Sequence, residues 1–122
     1  MLIGELAQRT GVSRRSLRYY DEIGLLPTTR TPSGYREYEP IAPRCVRQIQ
    51  QLLDVGFNTD AIADILPCLD NDELRVQPCP EVRERFSRHL ETIQARISAL
   101  ENARDRVAHA LQTIDTDLAV DH

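Results

Sequence analysis

From Phe86 onward the apolar residues keep a fixed rhythm. Phe86, Leu90, Ile93, Ile97, Leu100, Val107, Leu111, Ile114 and Leu118 follow one another at alternating steps of four and three, broken only where Arg104 takes a seam position. Such spacing keeps one stripe on one side of a helix and is the heptad pattern of a coiled coil. No Gly or Pro interrupts residues 81–114. A continuous helix is expected over 80–114, about 50 Å long at roughly 1.5 Å per residue. The residues before it are too few to cover so long a stripe, so a second copy of the chain is the economical partner. Phe86, Leu90, Ile93, Ile97, Leu100, Val107, Leu111 and Ile114 are then the expected dimerisation residues. Arg104 suits a device for register or orientation. Residues 115–122 are expected to fray.

Residues 1–70 carry shorter patterns. Ile3, Leu6 and Ala7 lie at i, i+3, i+4 and predict a helix over Ile3–Arg9, closed by Gly11. Ser13 can cap a second helix, Ser13–Ile23, that buries Val12, Leu17, Tyr20 and Ile23 and leaves Arg14, Arg15, Arg18 and Tyr19 on its other faces. Gly24 ends it, and Leu25-Leu26-Pro27 packs beneath the pair. Two helices across a Gly-containing turn, the second rich in Arg, is the sequence form of a helix-turn-helix, with Ser13–Ile23 as the element for a DNA major groove. Pro32, Ser33 and Gly34 break Thr28–Tyr38 into a hairpin, read as a wing with Arg30, Arg36 and Tyr38 at its rim to hold phosphates. The plainer reading is a connecting hairpin with Tyr35 in the core. A third helix is expected over Ile41–Val55, with Cys45, Ile49, Leu52 and Leu53 as its stripe. A short helix over Asp60–Leu66 follows, capped by Asn58 or Thr59 and stopped by Pro67. Residues 71–79 read as a linker.

Composition changes the picture in three places. The net charge of -4 argues against a DNA binder until its distribution is read. Residues 9–36 hold six Arg against Asp21 and Glu22, a local +4, whereas residues 57–122 hold seven Arg against thirteen Asp and Glu, or -6. Phosphate binding needs a local patch, not a basic average. No apolar run approaches the roughly 18 residues of a membrane span, and no signal peptide is visible, so a cytoplasmic protein without membrane contact is expected. Finally, no Ser/His/Asp order, glycine-rich phosphate loop or apolar carboxylate cluster is present, so the chain is not expected to be an enzyme.

The motifs Ile3-Gly4-Glu5-Leu6-Ala7, Thr10-Gly11-Val12-Ser13, Leu17-Arg18-Tyr19-Tyr20-Asp21-Glu22-Ile23-Gly24-Leu25-Leu26-Pro27, Gly34-Tyr35-Arg36-Glu37-Tyr38 and Val55-Gly56-Phe57 closely resemble the MerR family of bacterial transcription regulators. The resemblance covers residues 1–70 by motif and 80–114 by pattern. It implies a mainly α fold: a winged helix-turn-helix head with a second helix pair (1–70), a linker (71–79), a long antiparallel coiled-coil dimerisation helix (80–114) and a tail (115–122). It also implies a homodimer on a near-palindromic promoter element, which distorts the spacer DNA so that RNA polymerase engages both hexamers. By the same resemblance Arg18 and Tyr19 match DNA-contacting positions of the recognition helix, Arg14 and Arg15 match positions of varied base contact, and Arg36 and Tyr38 match phosphate contacts of the wing. The competing reading is a coiled-coil interaction module without sequence-specific DNA binding, which leaves the Arg14, Arg15, Arg18 and Arg36 concentration unexplained.

The three cysteines, Cys45, Cys68 and Cys79, are an odd number without tight spacing, so a disulfide framework is not expected. Cys79 stands near the position where the family's metal sensors place a cysteine. No further Cys follows it, only His89, His109 and His122. One thiolate does not close a soft-metal site, and neither metal nor cofactor is expected. Cys68 and Cys79 bracket the linker and are the candidates for a thiol-reactive or redox signal, the plainer reading being three inert thiols and an effector that the sequence does not name. Cys45 reads as core.

Overall fold

The computed structural model describes residues 1–69 and 79–120, and the linker expected over 71–79 lies outside the described residues except for Cys79. Two compact units divide after Val82. The first opens with α1 (Ile3–Thr10) and α2 (Arg14–Glu22). Between them Gly11 adopts φ 72°, the left-handed conformation that glycine takes without a Cβ penalty, and its N–H closes α1 on the Ala7 carbonyl. Ser13 then caps α2, its Oγ accepting from the Ser16 N–H at 3.1 Å.

Strands β1 (Thr28–Arg30) and β2 (Arg36–Tyr38) form an antiparallel hairpin in the register Thr28–Tyr38, Thr29–Glu37, Arg30–Arg36. Met1 lies along its outer edge: its ammonium donates to the Tyr38 carbonyl at 2.6 Å, and the Tyr38 N–H returns to the Met1 carbonyl at 2.7 Å. Helix α3 (Ala42–Asp54) carries Pro43 in its first turn, where a missing N–H costs little. Asn58 caps α4 (Thr59–Ile65), and a 3-10 turn over Leu66–Cys68 follows. Leu6, Leu17, Ile49, Leu52, Ile62 and Ile65 are wholly buried and form the centre of this core.

Two expectations shift here. The stripe of α3 is centred on Ala42, Val46, Ile49 and Leu52, with Cys45 and Leu53 only half-buried. Ile23 is exposed rather than core: α2 ends at Glu22, and the Gly24 turn at φ 79° hands the buried places to Leu25 and Leu26.

The second unit is the remainder of α5 (Pro80–Val120), 41 residues of unbroken helix. Helix α5 runs to Val120, past the expected end at Ile114, and neither Gly nor Pro lies in that stretch to stop the ladder. Leu90, Ile93, Ile97, Leu100, Val107, Leu111, Ile114 and Leu118 are all exposed along it, while Phe86 is half-buried. Arg104 lies among them, its guanidinium donating from Nε and Nη2 to Asp105 Oδ1 at 3.1 and 3.0 Å. No helix among the described residues is long and apolar enough to cross a membrane.

Candidate nucleic-acid interface

Helix α2 divides its residues by period. Leu17 and Tyr20 are buried, Tyr20 further held where Gln50 Nε2 of α3 donates to its hydroxyl at 2.7 Å. Burial pushes the Tyr20 phenol above its ordinary pKa, with that hydrogen bond opposing. The opposite side presents Arg14, Arg15, Arg18 and Tyr19, all exposed and brought together as the sequence predicts. The Tyr19 ring, 47% exposed, leans on Tyr20 with centroids 6.3 Å apart and planes at 56°, so a buried ring steadies an outward one. Arg14 reaches back over α1: a Cβ built on Gly4 would stand 2.9 Å from Arg14 Nη2. The first helix thus leaves room for the guanidinium by having no side chain at that point.

The wing differs from its expected form. Tyr38 is 1% exposed and does not stand at the rim. In a strand, side chains two apart share a face, so Arg36 and Tyr38 do point the same way, together with Thr28 and Arg30 opposite them. That face is turned onto the end of α2. There Asp21, its side chain only 8% exposed, accepts from the Thr28 hydroxyl at 3.0 Å through Oδ1 and from the Arg36 guanidinium through Oδ2. Burial, followed by the Asp21 charge, raises the Tyr38 phenol above its usual pKa, with Arg36 and Arg18 pulling the other way. Tyr35, the residue of the plainer core reading, is instead 68% exposed. Leu2, Ile3, Arg18, Glu22, Tyr35, Arg36 and Tyr38 line a groove of about 390 Å³ between the wing and α2.

Asp21, which joins both strands of the wing to the end of α2, is the contact that the sequence reading missed. It entered only as a charge subtracted from the arginine patch. A carboxylate inside an otherwise cationic stretch, followed by a hairpin with a basic strand, was the available signal.

Cys68 and Cys79 come together at the other side of the undescribed segment. A hydrogen bond with Cys79 is the main reason the Cys68 thiol is pushed above its ordinary pKa, with burial, the Cys79 charge and Glu81 adding to it. The Cys79 thiol donates to Glu81 Oε2 at 3.4 Å. Backbone hydrogen bonding and that thiol hold the Glu81 carboxyl below its usual value. Burial raises the Cys45 thiol. Among the described residues no three His, Cys, Asp or Glu side chains gather as a metal ion would need.

Two family models match the chain: the MerR HTH family regulatory protein over residues 1–68, and the MerR DNA-binding region over residues 44–110. The mercuric resistance operon regulatory protein of Bacillus cereus is 33% identical over 99 residues, covering 80% of this chain and 73% of that protein. A MerR-family transcriptional regulator of Listeria monocytogenes superposes with a TM-score of 0.62 at 26% identity, covering 97% of this chain and 88% of that one. HiNmlR, a MerR-family regulator lacking the sensor domain and solved bound to promoter DNA, superposes with a TM-score of 0.56 at 23% identity, over 86% and 78% of the two chains.

Proposed function

Because the chain belongs to the MerR family of DNA-binding transcription regulators, and not to a family of enzymes, we propose that it acts as a homodimer on a near-palindromic promoter element. Residues 1–70 are the DNA-binding domain in this reading and 80–114 the dimerisation helix. The dimer distorts the spacer so that RNA polymerase engages both hexamers. Deformation of this kind is paid for by added backbone contacts. The observation that carries the reading is the division of α2, with Leu17 and Tyr20 sealed into the head and Arg14, Arg15, Arg18 and Tyr19 left outward. Arg14 and Arg15 take base edges or adjacent phosphates, and Arg18 and Tyr19 take phosphates. Arg30 and Tyr35, both exposed, are the wing residues open to the backbone.

The exposed seam of α5 supports the dimer: apolar side chains of this size and number along one stripe are what a second copy would cover. Selection of binding sites from random duplexes tests the whole reading, since a dimer returns paired half-sites at a fixed spacing and a monomer returns single ones. Arg18→Ala is expected to weaken binding to all sequences and flatten the salt dependence by about one phosphate contact. Unchanged salt dependence would count against its phosphate role.

The regulatory signal, in the same reading, is thiol-reactive or oxidising and acts on Cys68 and Cys79. Hydrogen peroxide takes two thiols to one disulfide and two waters, which would tie the 3-10 turn to the residue preceding α5. A Cys68→Ser, Cys79→Ser double variant that kept its full peroxide response in a promoter–reporter assay would end that part of the reading.

A further inference from the structure

We propose that Asp21 is the positioning residue that sets the wing against the recognition helix, and that Arg36 serves this clamp in place of a DNA phosphate. The inference rests on the DNA-binding reading above. Three observations carry it. Both oxygens of the Asp21 carboxylate are engaged by the wing, one by Thr28 of β1 and the other by Arg36 of β2, so a single side chain grips both strands. Asp21 also lies in the last turn of α2, where the helix dipole disfavours a negative charge and where no basic residue offsets it. The helix itself gains nothing from a carboxylate there; the gain comes from the wing. Finally, Arg30 and Arg36 stand directly opposite in the ladder, an arrangement of like charges that repel. Pairing Arg36 with Asp21 offsets the repulsion and leaves Arg30 exposed on the strand opposite.

The consequence for DNA binding is specific. An arginine already paired with a carboxylate neutralises no phosphate and releases no counterion from the DNA, so it adds little to the salt dependence of binding. Were Arg36 to leave for a phosphate, it would take the cation from a carboxylate that is 8% exposed and leave it the neutral hydroxyls of Thr28 and Tyr38, a costly arrangement for a charge held away from water. The wing angle, and with it the reach of Arg30 and Tyr35, therefore depends on a residue that itself touches no DNA.

The test is fluorescence anisotropy of the full chain on a mixed-sequence duplex over a range of KCl concentrations, with circular dichroism and thermal melting of each variant. Arg36→Ala is expected to weaken binding about tenfold at every salt concentration while leaving the slope of log affinity against log salt unchanged. Asp21→Asn is expected to weaken binding without flattening that slope, although it removes a negative charge from a cationic surface. Thr28→Val, which loses one hydrogen bond and no charge, should shift affinity in the same direction by a smaller factor. It keeps the test open if Asp21→Asn does not fold. A slope flattened by about one unit in Arg36→Ala would overturn the proposal, as would Asp21→Asn and Thr28→Val proteins that bind as tightly as the unaltered chain. Salt-insensitive or absent binding by the unaltered chain would instead overturn the DNA-binding reading.

Discussion

The two units treat the same kinds of side chain in opposite ways. In the head, Leu6, Leu17, Ile49, Leu52, Ile62 and Ile65 are at 0% exposure, whereas along α5 Leu100 and Val107 stand at 69% and 67%. The head's helices run from seven to thirteen residues, each too short to hold itself in water. Turns at Gly11, Gly24 and Gly56 fold them back on one another, and their apolar faces meet within the chain. Helix α5 has no such turn. A repeat that runs from Phe86 to Leu118, broken only at Arg104, gives it a single stripe, and a stripe of that form is best matched by something equally long and regular. Irregular patterning builds a head whose core closes within the chain; the regular patterning of α5 leaves an open stripe, the feature on which the proposed dimer rests.

The strongest way to break this contrast is to remove the stripe. Ile97→Ser with Leu100→Ser should convert the dimer to monomer in light scattering and reduce affinity for a paired half-site by roughly 10²–10⁴-fold, the loss of linkage between two heads. Its head should remain folded and keep its weak, salt-sensitive hold on mixed-sequence DNA. The reciprocal change, Leu17→Ala, opens a cavity in the head core and should cost about 2–5 kcal/mol in urea unfolding. The dimeric mass should survive it. If both variants lost both properties, the units would not be separable. Ser13→Ala, which deletes the cap of the recognition helix, should cost about 1 kcal/mol in the same unfolding experiment and leave the mass unchanged.

The smallest effect sharpens the contrast at its boundary. The thiolate is the form that alkylates, and Cys79 with Glu81 holds the Cys68 thiol above its ordinary pKa. Less thiolate is therefore present at neutral pH. Iodoacetamide should modify Cys68 more slowly than a free cysteine, with the rate climbing only above the usual thiol range. Cys79→Ala should shift that profile towards lower pH. Mass spectrometry of the quenched reaction reads both.

Much of this architecture was legible in the residues. Glycine after Thr10, serine before two arginines, and a heptad broken only at Arg104 are local signals with local causes; the four helices of the head fall within a residue of where those signals place them, while α5 runs six residues past the expected end at Ile114. The wing shows the limit. Alternation along Tyr35-Arg36-Glu37-Tyr38 establishes that Arg36 and Tyr38 share a face, but nothing in the alternation says which face meets the protein. Tyr38 went inward and Tyr35 outward, and the face of Tyr38 and Arg36 meets Asp21, fifteen residues before Arg36 and on another element. The α3 stripe moved by a single position for a related reason: Cys45 and Val46 are both apolar, and only the neighbouring helices choose between them. Long-range pairing of a charge with a strand has no period to betray it.

Every basic side chain other than histidine is arginine, so no lysine amine competes with the ammonium of Met1 in this 122-residue chain, and that ammonium donates to the Tyr38 carbonyl at the wing's edge. An amine-directed fluorophore coupled under mild conditions would thus land at a single, known spot beside the hairpin. Any change in its emission on titration with duplex would follow the wing alone, without a substitution anywhere in the protein.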